Sequence, residues 1–86
     1  MASYRLLIKS SAAKELEAIP RKDRNRIVGK IQGLAANPHP RGSEKLSGEE
    51  KYRLRQGDYR VLYFIEEASM TITVVKIGHR REVHRR

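Results

Sequence analysis

The chain contains no cysteine, so disulfides and thiolate metal sites are excluded and stability falls to an apolar core. Long apolar runs are missing as well. The longest, Val61-Leu62-Tyr63-Phe64-Ile65, is far short of the roughly 20 residues that span a bilayer, and no transmembrane helix is expected. Leu6-Leu7-Ile8 is cut off by Lys9, too short for the apolar region of a secretory signal, so a cytoplasmic location is expected. Acidic residues are scarce: 10 Asp and Glu stand against 19 Lys and Arg in 86 residues, a formal net charge of +9. Such an excess attracts polyanions, with nucleic acid the first candidate and an anionic membrane surface or acidic protein behind it.

What is present reads as one domain over residues 1–86, without repeats or a linker. Tyr4 to Lys9 has the pattern of a first strand. Ser10-Ser11 offer side-chain oxygens to cap a helix through about Ile19, which Pro20 ends. Arg21 to Ala36 sets Ile27, Ile31 and Leu34 on one helical face. Arg21, Lys22, Arg24 and Arg26 crowd the start of that helix, where cations oppose its dipole. Asn37-Pro38-His39-Pro40-Arg41-Gly42 breaks the second helix into a loop. Beyond it Gly48, Gln56-Gly57-Asp58 and Glu66-Glu67-Ala68-Ser69 punctuate β-rich runs at Lys51 to Arg55, Tyr59 to Ile65 and Thr71 to Ile77. The expected fold is α+β in the order β-α-α-β-β-β: an N-terminal strand, a helical hairpin, then a three-stranded antiparallel meander completing a small sheet.

Strand side chains alternate between faces. Arg53 and Arg55 therefore point the same way, and Arg60 can join them from the strand that turns back. Tyr59, Val61, Tyr63 and Ile65 share a face apolar enough to pack under the helices. Guanidinium groups stay charged at ordinary pH and bind phosphate oxygens in pairs, so a cluster on a rigid sheet points to a phosphodiester.

Tyr52-Arg53-Leu54-Arg55-Gln56-Gly57-Asp58-Tyr59-Arg60-Val61-Leu62-Tyr63, followed by Gly78-His79-Arg80-Arg81-Glu82-Val83-His84-Arg85, closely resembles the signature of the RelE toxins of the RelE/ParE superfamily. Lys45-Leu46-Ser47-Gly48 and the helical hairpin fit too, so the resemblance covers nearly the whole chain. It implies a RelE-like fold and a small toxin of a prokaryotic type II toxin–antitoxin pair. Such a toxin cuts mRNA in the ribosomal A site without a cofactor and is silenced by a cognate, RelB-like antitoxin in a hetero-oligomer. Position by position, the resemblance assigns the family's basic pair on the second strand to Arg53 and Arg55. The arginine after the strand tyrosine becomes Arg60, and the arginine after the Gly-x step becomes Arg80. Where the family usually has a tyrosine, this chain has His84. Lys45, Lys51, Lys76 and Arg81 are expected to add general attraction to phosphates.

Metal-free RNA cleavage needs a base for the 2′-hydroxyl proton, cations around the phosphorane and an acid for the departing 5′-oxygen. In this chain Arg60 and Arg53 are expected to hold the scissile phosphate, with Arg55 positioning it or stabilising charge and Arg80 near the leaving oxygen. His84 is the candidate base, or the group that orients the nucleophile. An imidazole, with an ordinary pKa of about 6.5, accepts a proton at pH 7 more readily than a phenol. A metal site built from His39, His79, Glu82 and His84 is rejected, because thiolates are lacking and arginines would repel a cation. Two other classes stay open: a ParE-like inhibitor of DNA gyrase, and a non-catalytic relative that binds only RNA or antitoxin.

Overall fold

The computed structural model describes residues 3–46 and 50–79. In chain order the elements are β1 (Arg5–Ile8), α1 (Ser10–Glu17), α2 (Arg21–Gly33), β2 (Ser43–Lys45), β3 (Lys51–Gln56), β4 (Tyr59–Glu66) and β5 (Thr71–His79). The strands form one mixed sheet in the order β1-β5-β4-β3-β2. β1 lies parallel to β5, and the remaining neighbours are antiparallel. The expected α+β order is present, with one strand more than the sequence suggested. Ser43–Lys45 is only three residues long and polar, so it carries no strand signal of its own and forms by pairing with β3.

The helices differ from expectation at their ends. Ser10 is already inside α1, Lys9 is its N-cap, and no side chain caps it. α2 likewise starts after Pro20, whose fixed φ suits a helix entrance, and it stops at Gly33, before Ala36. Ile27 and Leu34 are fully buried, and Ile31 packs against them partly buried.

Both helices cover the same face of the sheet. Ala12, Ile19, Ile27 and Leu34 meet Leu54, Val61, Tyr63, Ile65, Ile72, Val74 and Ile77 in one core. Burying each large aliphatic side chain contributes about 1.5–3 kcal/mol. Tyr63 extends this core under the 37–40 loop: its hydroxyl donates to the Pro38 carbonyl at 2.9 Å, and its ring stacks on Tyr52 at 5.6 Å. His39 closes the stack edge-on against Tyr52 at 5.0 Å. The aromatic residues of the signature on this face thus anchor the loop to the sheet.

Two local devices set the geometry of the other face. Gln56 pairs with Tyr59 across a two-residue turn, and Gly57 takes φ +60° there, a conformation that tight hairpins require and side chains resist. That turn fixes the β3–β4 register. Between β4 and β5, Leu62 pairs with Lys76 but Tyr63 pairs with Val74, so Val75 is an extra residue and the strand bulges there.

Candidate active site

The β3–β4 register places Arg55 directly opposite Arg60, and Arg53 opposite Leu62. Residues opposite one another in an antiparallel ladder share a face, with Cα atoms roughly 4.5–5.5 Å apart. Arg53, Arg55 and Arg60 therefore stand together on the face turned away from the helices, as expected. Like charges facing each other across a ladder oppose folding. The pair Arg55–Arg60 thus concentrates positive charge on this face.

The three arginines differ in surroundings. Arg60 is 6% exposed, the one buried charged side chain among the described residues. A guanidinium so far withdrawn from water acts through a low local dielectric, where its pull on an anion is strongest. Arg55 is exposed. Arg53 lies between them in accessibility, and its guanidinium donates to a carboxylate oxygen of Glu44 on β2 at 2.8 Å. Glu44 is also its ladder partner, so the short strand delivers a counter-ion to the cluster. Sequence reasoning missed Glu44 because nothing marked its segment as a strand.

Of the candidate lysines, Lys51 lies on the same face, two residues before Arg53, and its ammonium sits 5.7 Å from the centre of the Phe64 ring. Lys45 pairs with Tyr52 and so belongs to the opposite, helix-side face at the sheet edge. Lys76 is Leu62's ladder partner, but its ammonium is engaged by Glu15 of α1 at 3.0 Å. Arg80, Arg81 and His84 lie outside the described residues, as do Ser47 and Gly48. His79, at the end of β5, meets the Tyr59 ring edge-on at 5.7 Å.

A helical hairpin packed on one face of a five-stranded mixed sheet is a RelE-like fold. Residues 6–84 match the family model described as ParE toxin of type II toxin-antitoxin system, parDE. The chain is 31% identical over 84 residues to Toxin RelE of Mycobacterium tuberculosis, covering 95% of this chain and 87% of that one. Among solved structures it is similar to an archaeal RelE–RelB complex from Pyrococcus horikoshii, with a TM-score of 0.81 and 31% identity over 90% of this chain and 94% of that one. The RelBE2 toxin–antitoxin complex of Mycobacterium tuberculosis matches with a TM-score of 0.79 and 25% identity, over 91% of this chain and 99% of that one. The chain belongs to the RelE/ParE family of type II toxin–antitoxin toxins.

Proposed function

We propose that this toxin is a ribosome-dependent mRNA endoribonuclease that works without a metal, in the cytoplasm, and is neutralised by a cognate RelB-like antitoxin. The observation that carries the reading is the placement of Arg53, Arg55 and Arg60 on one sheet face, with Arg55 and Arg60 in direct opposition. Three guanidinium groups fixed in this way supply the positive charge that a phosphorane needs. Arg60 and Arg53 hold the scissile phosphate, and Arg55 positions it or stabilises its charge. The 2′-oxygen gives up its proton and attacks phosphorus, the bond to the 5′-oxygen breaks as that oxygen takes up a proton from an acid or from solvent, and a 2′,3′-cyclic phosphate and a 5′-hydroxyl result. Arg80 stands near the leaving oxygen, and His84 takes or orients the 2′-hydroxyl proton. Lys51 and Arg81 contribute phosphate attraction.

An antitoxin partner is supported by two surfaces as well as by kinship. The archaeal relative was solved as a RelE–RelB complex. In this chain the edge strand β1 exposes Leu7 and Ile8, beside an apolar groove that also involves Leu16, Val28 and Ile31. A segment laid there could bury apolar surface while an acidic stretch meets the basic face.

The decisive assay supplies purified protein to programmed ribosomes, with and without the antitoxin, and maps mRNA ends by primer extension. Cuts within translated codons that vanish with antitoxin support the reading. A second reading, a poison of DNA gyrase, is favoured by the ParE description of the matching family model; intact mRNA with DNA breaks would establish it instead. Intact mRNA and intact DNA would leave a binding role.

A further inference from the structure

We infer that Glu15 of α1 is a positioning residue for the site, holding the end of β5 against Arg60's strand. This rests on the reading of the chain as a ribonuclease, but its physical part can be tested separately. β1 pairs with β5 only as far as Val74, where Lys9 donates its backbone N–H to the Val74 carbonyl at 2.9 Å. From the bulge at Val75 onward β5 has no strand on that side among the described residues. A strand end paired on one side only opens locally more readily, because the N–H groups on its outer edge have no ladder partner.

Glu15 supplies what the missing strand would have supplied. One carboxylate oxygen accepts the Ile77 backbone N–H at 2.8 Å, and the other accepts the Lys76 ammonium at 3.0 Å. Both contacts join residues more than sixty positions apart in the chain. Along α1, Glu15 follows buried Ala12 by one turn and precedes buried Ile19 by another, so its stem faces the sheet. A carboxylate there aims two acceptors at a strand edge, where an aliphatic residue would leave the N–H unmet. Ile77 pairs with Val61, and the next residue, Gly78, pairs with Arg60. The grip thus lies one residue from the partner of the buried arginine. Loosening it would misplace the residues flanking the scissile phosphate, and a shift of about 1 Å can cost roughly 100-fold in rate.

The test compares Glu15→Ala with Glu15→Gln, which keeps an amide oxygen for the Ile77 N–H. Measured per folded molecule on programmed ribosomes, Glu15→Ala should lower kcat by roughly 10- to 100-fold with KM almost unchanged, and Glu15→Gln should restore most of it. Undiminished kcat in Glu15→Ala, or a loss confined to KM, would overturn the inference. Amide exchange reads the same grip without RNA: Ile77 and Gly78 should exchange about 10-fold faster in Glu15→Ala than in Glu15→Gln, and equal rates would overturn it. Should the wild-type protein cut no mRNA while exchange responds as expected, the proposed function fails and the grip of Glu15 on β5 stands.

Discussion

The two faces of the sheet are made from alternate residues of the same strands, yet they obey different rules. On β3, Tyr52 and Leu54 are buried while Arg53 and Arg55 on the reverse face are not. On β4, Val61, Tyr63 and Ile65 are buried, and Phe64 and Glu66 on the reverse face are exposed. Arg60 breaks the alternation, a buried cation at a position of the second face. The helix-side face is selected by packing and could be rebuilt from other apolar residues of like volume. The second face sets Arg55 opposite Arg60, and like charges so placed oppose folding. The apolar core and the proposed site are therefore built from residues that are immediate neighbours in sequence.

That division can be broken most forcefully at Leu54, which is fully buried between two arginines of the site. Leu54→Ala should destabilise the fold by about 2–5 kcal/mol, seen as a lower urea midpoint, while cleavage per folded molecule stays nearly unchanged. A matching collapse of activity in the folded fraction would show that the faces are not separable. Arg60 should behave in the opposite way. Arg60→Ala is expected to lose about 10²- to 10³-fold in cleavage rate, as when a single transition-state donor is removed, with a smaller loss of RNA affinity. Equal losses would restrict Arg60 to binding.

A finer probe of the second face is Glu44. Exposed ion pairs contribute roughly 0.2–1 kcal/mol, so Glu44→Gln, by freeing Arg53, should tighten binding of a short RNA by about 2- to 5-fold. Weaker binding in a salt titration would mean that Glu44 positions Arg53 for RNA rather than competing with it.

Much of this arrangement was legible in the sequence because it depends on short-range periodicity. The two-residue period alone predicts that Arg53 and Arg55 share a face, and the Gln56-Gly57-Asp58 turn brings Arg60 to the same side; the ladder has Arg55 opposite Arg60. The 3.6-residue period picked out Ile27, Ile31 and Leu34, which face the core. What escaped was anything created by register between distant segments. β2 is too short and polar to announce itself, and its Glu44 reaches Arg53 only because β2 pairs with β3. Glu15 meets Ile77 and Lys76 only after α1 has been packed beside the bulged end of β5. The capping role read into Ser10-Ser11 failed for a local reason: the helix starts one residue early, and Ser10 lies within its first turn.

Alkaline pH offers the mildest separation of the two faces, since guanidinium groups do not titrate there and a buried phenol does. Burial pushes the Tyr63 phenol above its ordinary value near 10. The protonated, neutral form is the one the fold favours. Its contribution to stability is complete below the unfolded value near 10 and is lost as pH rises through the higher folded value. Tyr4 is raised in the same direction, chiefly by its hydrogen bond to Glu67 at 2.7 Å, but it is the surface group of the two. Replacing Tyr63 with Phe should cost about 0.5–1.5 kcal/mol at neutral pH, through the hydrogen bond lost to the Pro38 carbonyl. It should also flatten the decline of Tm above pH 10, bringing variant and wild type closer together as pH rises. Parallel Tm curves for the two proteins would detach the alkaline transition from the helix-side core and direct attention to Tyr4 instead.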